Sequence, residues 1–255
     1  MLLRRFMAHI QQQNWFAVTL DIIVVIVGIF LGMQVADWNE QRKEREVEQQ
    51  FLNRLLADAE TNRIDLNSLI EHFTRQVDAI YELGQATSAK SLQGYDESKI
   101  ERGIYSLLSF PSIRFRSGTT GELLSAGKMD LIQDDEVKTL LLEQNALYEF
   151  VMTQHRDFRL FLIDKQEQYD SYTTYITLPD KIRPRMQFDF EEISNSKDFT
   201  TIIHNSLLLQ RLMLDYRKNQ QELNVELIKR LKCNIERTTC EPVNDGYKRN
   251  LLVLD

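Results

Sequence analysis

Glycine and proline are scarce in this chain, with 9 Gly and 4 Pro in 255 residues. Turns are therefore few and elements long, which excludes a many-stranded sandwich or barrel and favours helices. Histidine is scarce too: the 4 present, His9, His72, His155 and His204, are scattered. His72 beside Glu71, and His155 beside Arg156 and Asp157, are expected on helix surfaces. No H-E-x-x-H, P-loop, G-x-S-x-G or paired C-x-x-C occurs. Asp130, Asp134 and Asp135 lack the calcium-loop pattern and suit helix starts instead. Neither an enzyme activity nor a metal or other cofactor is expected. Positive charge is also short: 31 Lys and Arg stand against 38 Asp and Glu, a net charge of -7. Residues 40–255 hold 29 of those bases and 36 of those acids, so they carry the whole excess. A phosphate backbone is repelled by such a balance, which argues against nucleic acid as partner.

What the chain does have is one long apolar run. Trp15 to Ala36 reads WFAVTLDIIVVIVGIFLGMQVA, with Asp21 its one charge. A helix of that length spans about 33 Å, matching a hydrocarbon core of about 30 Å. Trp15 and Trp38 bracket it at the positions where indoles favour the two headgroup levels. A cleaved signal peptide is the rival, but its apolar core is shorter, about 7–15 residues, and ends in an A-x-A-like site. Here the run ends in GMQVADWNE, so retention as a single-pass signal anchor in contact with membrane lipid is expected. Before it, residues 1–14 form a basic segment with Arg4 and Arg5. There Leu3, Phe6, Met7 and Ile10 fall on one helical face, either as a short surface helix or as a frayed terminus.

Flanking charge does not decide orientation. Arg4, Arg5 and the α-amine precede the span; Arg42, Lys43 and Arg45 follow it, interspersed with acids that count little. Cys233 and Cys240 bear on the question. Seven residues apart on an unbroken helix their Cα atoms stand about 10.5 Å apart, too far for a disulfide. Pairing therefore requires the helix to end between them, where Thr238, Thr239 and Pro242 permit it. A pair implies an oxidising compartment; two free thiols fit a cytosolic tail.

Gly28, Gly32 and Ala36 recur every four residues, a small-residue groove of the kind that lets a second membrane helix approach. Such a stripe also arises by chance in apolar segments. Asp21 is costly inside lipid unless hydrated, protonated or paired. It either reaches the headgroup boundary or contacts a basic or hydroxyl group on a partner helix.

Beyond Trp38 the pattern predicts helices. Met33–Leu83 holds no Gly or Pro, and Val47, Phe51, Leu55, Ala59, Leu66, Ile70, Phe73, Val77 and Ile80 recur mostly at three or four residues. A loop is expected near Gly84–Gly94, then a helix over Glu97–Phe110 stopped by Pro111. A short helix capped by Thr119 or Thr120 should end near Gly127. Long helices are expected over Glu136–Tyr172 and Asp198–Ile235, with an ordered loop or a small surface feature over 177–197 around Pro179 and Pro184. Tyr169, Tyr172 and Tyr175 suggest rings packed partly in the core, or a ligand surface. In SIRFRSG, Arg114 and Arg116 alternate with Ile113 and Phe115, as a short extended segment or an anion site. The fold class expected is all-α: one N-terminal transmembrane helix (15–38) continuing into an antiparallel helical bundle (39–255).

LDIIVVIVGIFLGMQVADWNEQRKE resembles the opening of a family of uncharacterised bacterial single-span membrane proteins. In these a span is followed by a W-N-E tripeptide, here Trp38, Asn39 and Glu40, and then a charged helix. Asp21 and Gln34 also fit that opening. ELLSAGKMDLIQDDEVKTLL resembles a second signature of the family, carried by Glu122, Leu123, Ser125, Gly127, Leu131 and Ile132. The resemblance covers about a third of the chain and implies a domain of no assigned activity in the bacterial inner membrane. Two functions are expected to compete. One is a membrane-anchored scaffold that self-associates or docks onto a larger membrane complex. The other is an extracytoplasmic ligand-sensing bundle that signals through a partner. A paired cysteine couple would place the large domain in the periplasm.

Overall fold

A computed structural model describes residues 15–112, 114–176 and 185–243. The chain divides into two compact units, Met1–Gln50 and Phe51–Asp255. Helix α1 runs Trp15–Ala89. In the first unit every large apolar side chain from Leu20 to Val35 is 48–65% exposed. This helix is long and apolar enough, near the N-terminus, to cross a membrane. The expectations for residues 1–14, and for the side chains of Trp15 and Asp21, fall outside the described part.

The second unit is an all-α bundle of four legs. From Phe51, α1 forms the first. The second is a broken return: α2 (Glu97–Ser106), a non-helical stretch over 107–117, and α3 (Gly118–Ser125). A 3-10 turn at Met129–Leu131 leads to α4 (Asp135–Ile163), the third leg. Then come α5 (Gln166–Asp170), a hairpin of β1 (Thr173–Ile176) and β2 (Arg185–Phe188), and α6 (Phe190–Asn195). The fourth leg is α7 (Lys197–Glu236).

Side-chain contacts fix the directions. Along the return leg Lys99 meets Glu82 at 3.0 Å, Phe110 meets Phe73 with ring centres 5.7 Å apart, and Arg54 meets Glu122 at 2.5 Å. Numbers fall on α1 as they rise on the second leg, so the two are antiparallel. The same holds for α4 and α7, where Arg230 pairs with Asp134 at 2.8 Å and Gln144 with Asn224 at 2.8 Å. It holds again for α1 and α7, where Asn224 donates to the Ala59 carbonyl at 2.9 Å and Gln221 to Asn67 at 2.6 Å.

Local chemistry explains most element ends. Asp96, Asp134, Asp189 and Ser196 each accept backbone N–H bonds at a helix start, satisfying donors the helix leaves free. Lys90 and Gly127, at φ of 50° and 62°, make the left-handed turns after α1 and α3, and Gly94, at φ 88°, turns the loop before α2. The core falls into two apolar clusters. One gathers Phe51, Leu69, Phe73, Leu140, Val151, Met213 and Leu227; the other gathers Ile80, Leu83, Ile104, Tyr169, Phe199 and Ile203.

Several boundaries differ from expectation. The α1 helix passes through Gly84 to Ala89, because Gly84 sits in a helix face packed toward Ile203 and a helical glycine costs only about 1 kcal/mol. The α2 helix stops at Ser106, four residues early. The residue before Pro111 avoids the helical region, and the freed carbonyls find partners on α7. Ser117, not Thr119 or Thr120, precedes α3, and the Thr119 hydroxyl donates to Asp58 at 2.6 Å. The α4 helix ends at Ile163 and not at Tyr172. Within 177–197 the described residues form β2 and α6, while Pro179 and Pro184 lie outside the described residues.

Gly103 marks a close approach of the first two legs. A Cβ there would stand 2.5 Å from the Ala79 carbonyl oxygen and 3.0 Å from Leu83 Cβ. Gly103→Ala is therefore expected to destabilise the bundle by about 1–3 kcal/mol through overpacking against backbone. Thermal unfolding checks this; an unchanged midpoint would show that the legs separate freely.

Candidate functional site

Every third or fourth residue of α7 faces the bundle interior. Reading Phe199, Ile203, Ser206, Gln210, Met213, Arg217, Gln220, Asn224, Leu227 and Leu231, all are buried, and the ends are apolar while the middle is polar. A polar seam at core positions must satisfy its own hydrogen bonds, because water cannot. Part of it does so through the broken second leg. Gln210 Nε2 donates to the Ser106 carbonyl at 2.6 Å, and Ser206 Oγ to the Leu107 carbonyl at 2.7 Å. From α4, His155 Nε2 bonds the Phe110 carbonyl at 3.2 Å. From α1, Asn62 grips Arg116 at both backbone groups, donating to its carbonyl at 2.9 Å and accepting its N–H at 2.7 Å. The buried side chains thus replace the i→i−4 bonds that the interrupted leg lacks. Phe115, inside that stretch, stacks on Tyr148 of α4 at 4.9 Å, while Arg114 and Arg116 are exposed.

Although Gln210 Oε1 on the same seam is also buried without a partner, Arg217 is the least satisfied member. Its side chain is 0% exposed, and Nη1 donates to Gln220 Oε1 at 2.7 Å. Its Nε and Nη2, and Gln220 Nε2, are buried without a partner. None of the ion pairs among the described residues includes it. Burial pulls the guanidinium down to about 10, with the Tyr148 hydroxyl on α4 opposing the shift. The group is still a cation at neutral pH, in the interior of a four-legged bundle.

His155 is a correction to the sequence reading: it is buried, not on the helix surface, because its ring closes over the Phe110 carbonyl. Burial lowers its pKa, the Phe110 bond opposes this, and the Arg217 charge adds to the lowering. A histidine harder to protonate when folded contributes stability that is full above its ordinary value, about 6.5, and is lost as pH falls through the folded value. The melting temperature should therefore drop between pH 7 and pH 5. His155→Gln, which keeps a donor for Phe110, should make that slope shallower; an identical slope would remove His155 from the titration.

The residues singled out by sequence lie elsewhere. Gly28 and Gly32 sit on an open helix face where an added Cβ meets nothing within 4 Å, and Ala36 and Trp38 are exposed. Cys233 and Cys240 form a disulfide with Cα atoms 5.5 Å apart. The helix ends between them at Glu236, and Arg237 turns left-handed at φ 55°. Beside them Asp134 accepts from Arg230 at 2.8 Å and Asn234 at 2.8 Å. Burial pushes that carboxyl up, but these bonds and the Val137 N–H outweigh it and hold it below the ordinary range. The three tyrosines do not share a helix: Tyr169 is buried on α5, Tyr172 half-buried, and Tyr175 exposed on β1, although the hydroxyls of Tyr169 and Tyr175 meet at 3.3 Å. A groove of about 910 Å³ opens beside Tyr175, lined by His72, Arg102 and Tyr105. Among the described residues no three His, Cys, Asp or Glu cluster as metal ligands.

The seam was missed because its residues are polar. The signal was present in the spacing: 206, 210, 217, 220 and 224, with the apolar Met213 among them, continue the three-four rhythm of the flanking apolar positions. Comparison of the chain with protein-family models, with curated proteins and with solved structures finds no match.

Proposed function

We propose that this protein is a single-pass anchor of the bacterial inner membrane whose helical bundle stands in the periplasm and holds partners there. The observation that carries the reading is the exposure, at 48–65%, of every large apolar side chain from Leu20 to Val35, beside a bundle that has its own closed core. An apolar stretch of that length is stable in lipid and not in water. The Cys233–Cys240 disulfide supports the oxidising side of the membrane. The open face of Gly28, Gly32 and Ala36 suits close approach of a second helix, from another copy or from a larger complex. Asp21, on the same segment, would pair with a polar group of that helix.

The test is the size of the particle extracted in mild detergent. Wild type should run as an oligomer or with co-purifying subunits, and Gly28→Ile with Gly32→Ile should reduce it to the single chain. Equal sizes for both proteins would count against helix association through this face. A second reading, a ligand-sensing bundle that signals through a partner, is favoured by the polar middle of α7.

A further inference from the structure

We propose that Arg217 and Gln220 form an internal binding site for a small carboxylate, closed inside the four legs of the bundle. The inference does not depend on the membrane anchor. It deepens the sensing reading by naming the ligand class.

The argument begins with which edge of the guanidinium is free. Nη1 is engaged by Gln220 Oε1 at 2.7 Å. The two unpartnered nitrogens are Nε and Nη2. These form the side edge of the guanidinium plane, where two N–H bonds point in parallel. That spacing matches the two oxygens of a carboxylate, which is why arginine so often binds one in a bidentate pair. The Gln220 amide, oriented by its bond to Nη1, leaves Nε2 as a third free donor. All three are donors, so the group that satisfies them must accept.

None of the three has an acceptor within hydrogen-bonding distance, although Gln76 Oε1, Gln210 Oε1 and Gln221 Oε1 are also buried without a partner. Four carbonyls of the broken second leg already accept side-chain bonds from elsewhere: Ser106 from Gln210, Leu107 from Ser206, Phe110 from His155 and Arg116 from Asn62. The charges facing Arg217 from the packed elements offer no anion either. Tyr148 and His155 on α4 are the groups in electrostatic reach, and Arg159 adds further positive charge near His155. Water could meet the hydrogen-bonding need but not the charge. An unpaired cation in a low-dielectric interior remains unfavourable until a counter-charge arrives. A carboxylate supplies both the matching fork and the charge. The full burial of Arg217 limits the ligand to a few heavy atoms and makes exchange slow.

The test uses the full chain in detergent micelles, with sodium acetate as probe and sodium chloride at equal ionic strength as control, after long equilibration. With 15N-arginine label, one Nε–H resonance should be protected from solvent. It should shift on acetate addition and not on chloride. Melting temperature should rise with acetate concentration in wild type. Arg217→Lys keeps the charge but loses the fork, and should weaken acetate binding by about tenfold or more. Gln220→Leu should weaken it less. Should the protected resonance ignore acetate, or acetate and chloride act alike, the carboxylate site is refuted. The wild-type spectrum decides even if the variants fail to fold. Failure here leaves the anchor reading untouched, since no measurement in this set involves membrane attachment or particle size.

Discussion

Arginine at both Val27 and Phe30 is expected to move the full-length protein from the membrane pellet to the soluble fraction of a carbonate wash. Both side chains are among the exposed apolar set, at 48% and 59%, so neither change disturbs a packed core. At mid-span each arginine costs about 2.5–3.5 kcal/mol of insertion free energy. The pair also removes two apolar contributors and sits three residues apart, so the charges crowd one side of the helix. The total is enough to abolish stable insertion of a single helix that already carries Asp21. The bundle from Phe51 onward has its own core and should survive in the soluble fraction with unchanged helical signal. Retention of the doubly charged protein in the pellet would mean that the bundle or a partner, and not Leu20–Val35, provides the attachment.

Removing the buried charge should strengthen the bundle. In carboxylate-free buffer the double variant Arg217→Met with Gln220→Leu is expected to be more stable than wild type by about 1–4 kcal/mol, the range seen when buried charges give way to well-packed apolar residues. The pair must change together. Arg217→Met alone orphans Gln220 Oε1, which now accepts from Nη1, and a buried unsatisfied group costs about 1–3 kcal/mol. The single variant should therefore gain little or lose stability, and the second substitution should recover it. Denaturant unfolding of the three proteins gives the comparison. A double variant weaker than wild type would show that the cation is compensated inside the protein.

The parts of this fold that obey a local rule could be read from the residues. Long helices follow from the spacing of Leu55, Ala59, Leu66, Phe73 and Ile80, and of Leu212, Tyr216, Leu223, Leu227 and Leu231. Asp134 at the head of α4 and Gly127 at the tail of α3 carry their own physical signatures. What could not be read is set by distant partners. Nothing in Ile163-Asp164-Lys165 marks a helix end; no glycine or proline stands there. Ser106 ends α2 because Ser206 and Gln210, about a hundred residues later, bind its last carbonyls. His155 looks like a surface residue among Arg156 and Asp157 until the carbonyl of Phe110 is placed beside it. Arg217 sits between Tyr216 and Lys218 in a segment whose composition alone reads as solvent-facing. Only its phase in the three-four rhythm shows that it points inward.

The interrupted second leg constrains how the bundle can move. Its peptide oxygens are held by three different neighbours: α7 through Ser206 and Gln210, α4 through His155, and α1 through Asn62. Smooth helices can slide past one another like pistons, but here a stroke of one helical turn, about 5.4 Å, would bring Met213 or Leu214 against an oxygen that Gln210 now serves. Each such oxygen left dry costs about 1–3 kcal/mol. Axial sliding of a single leg is thereby disfavoured, and a tilt or twist of all four legs together is the motion that keeps these bonds.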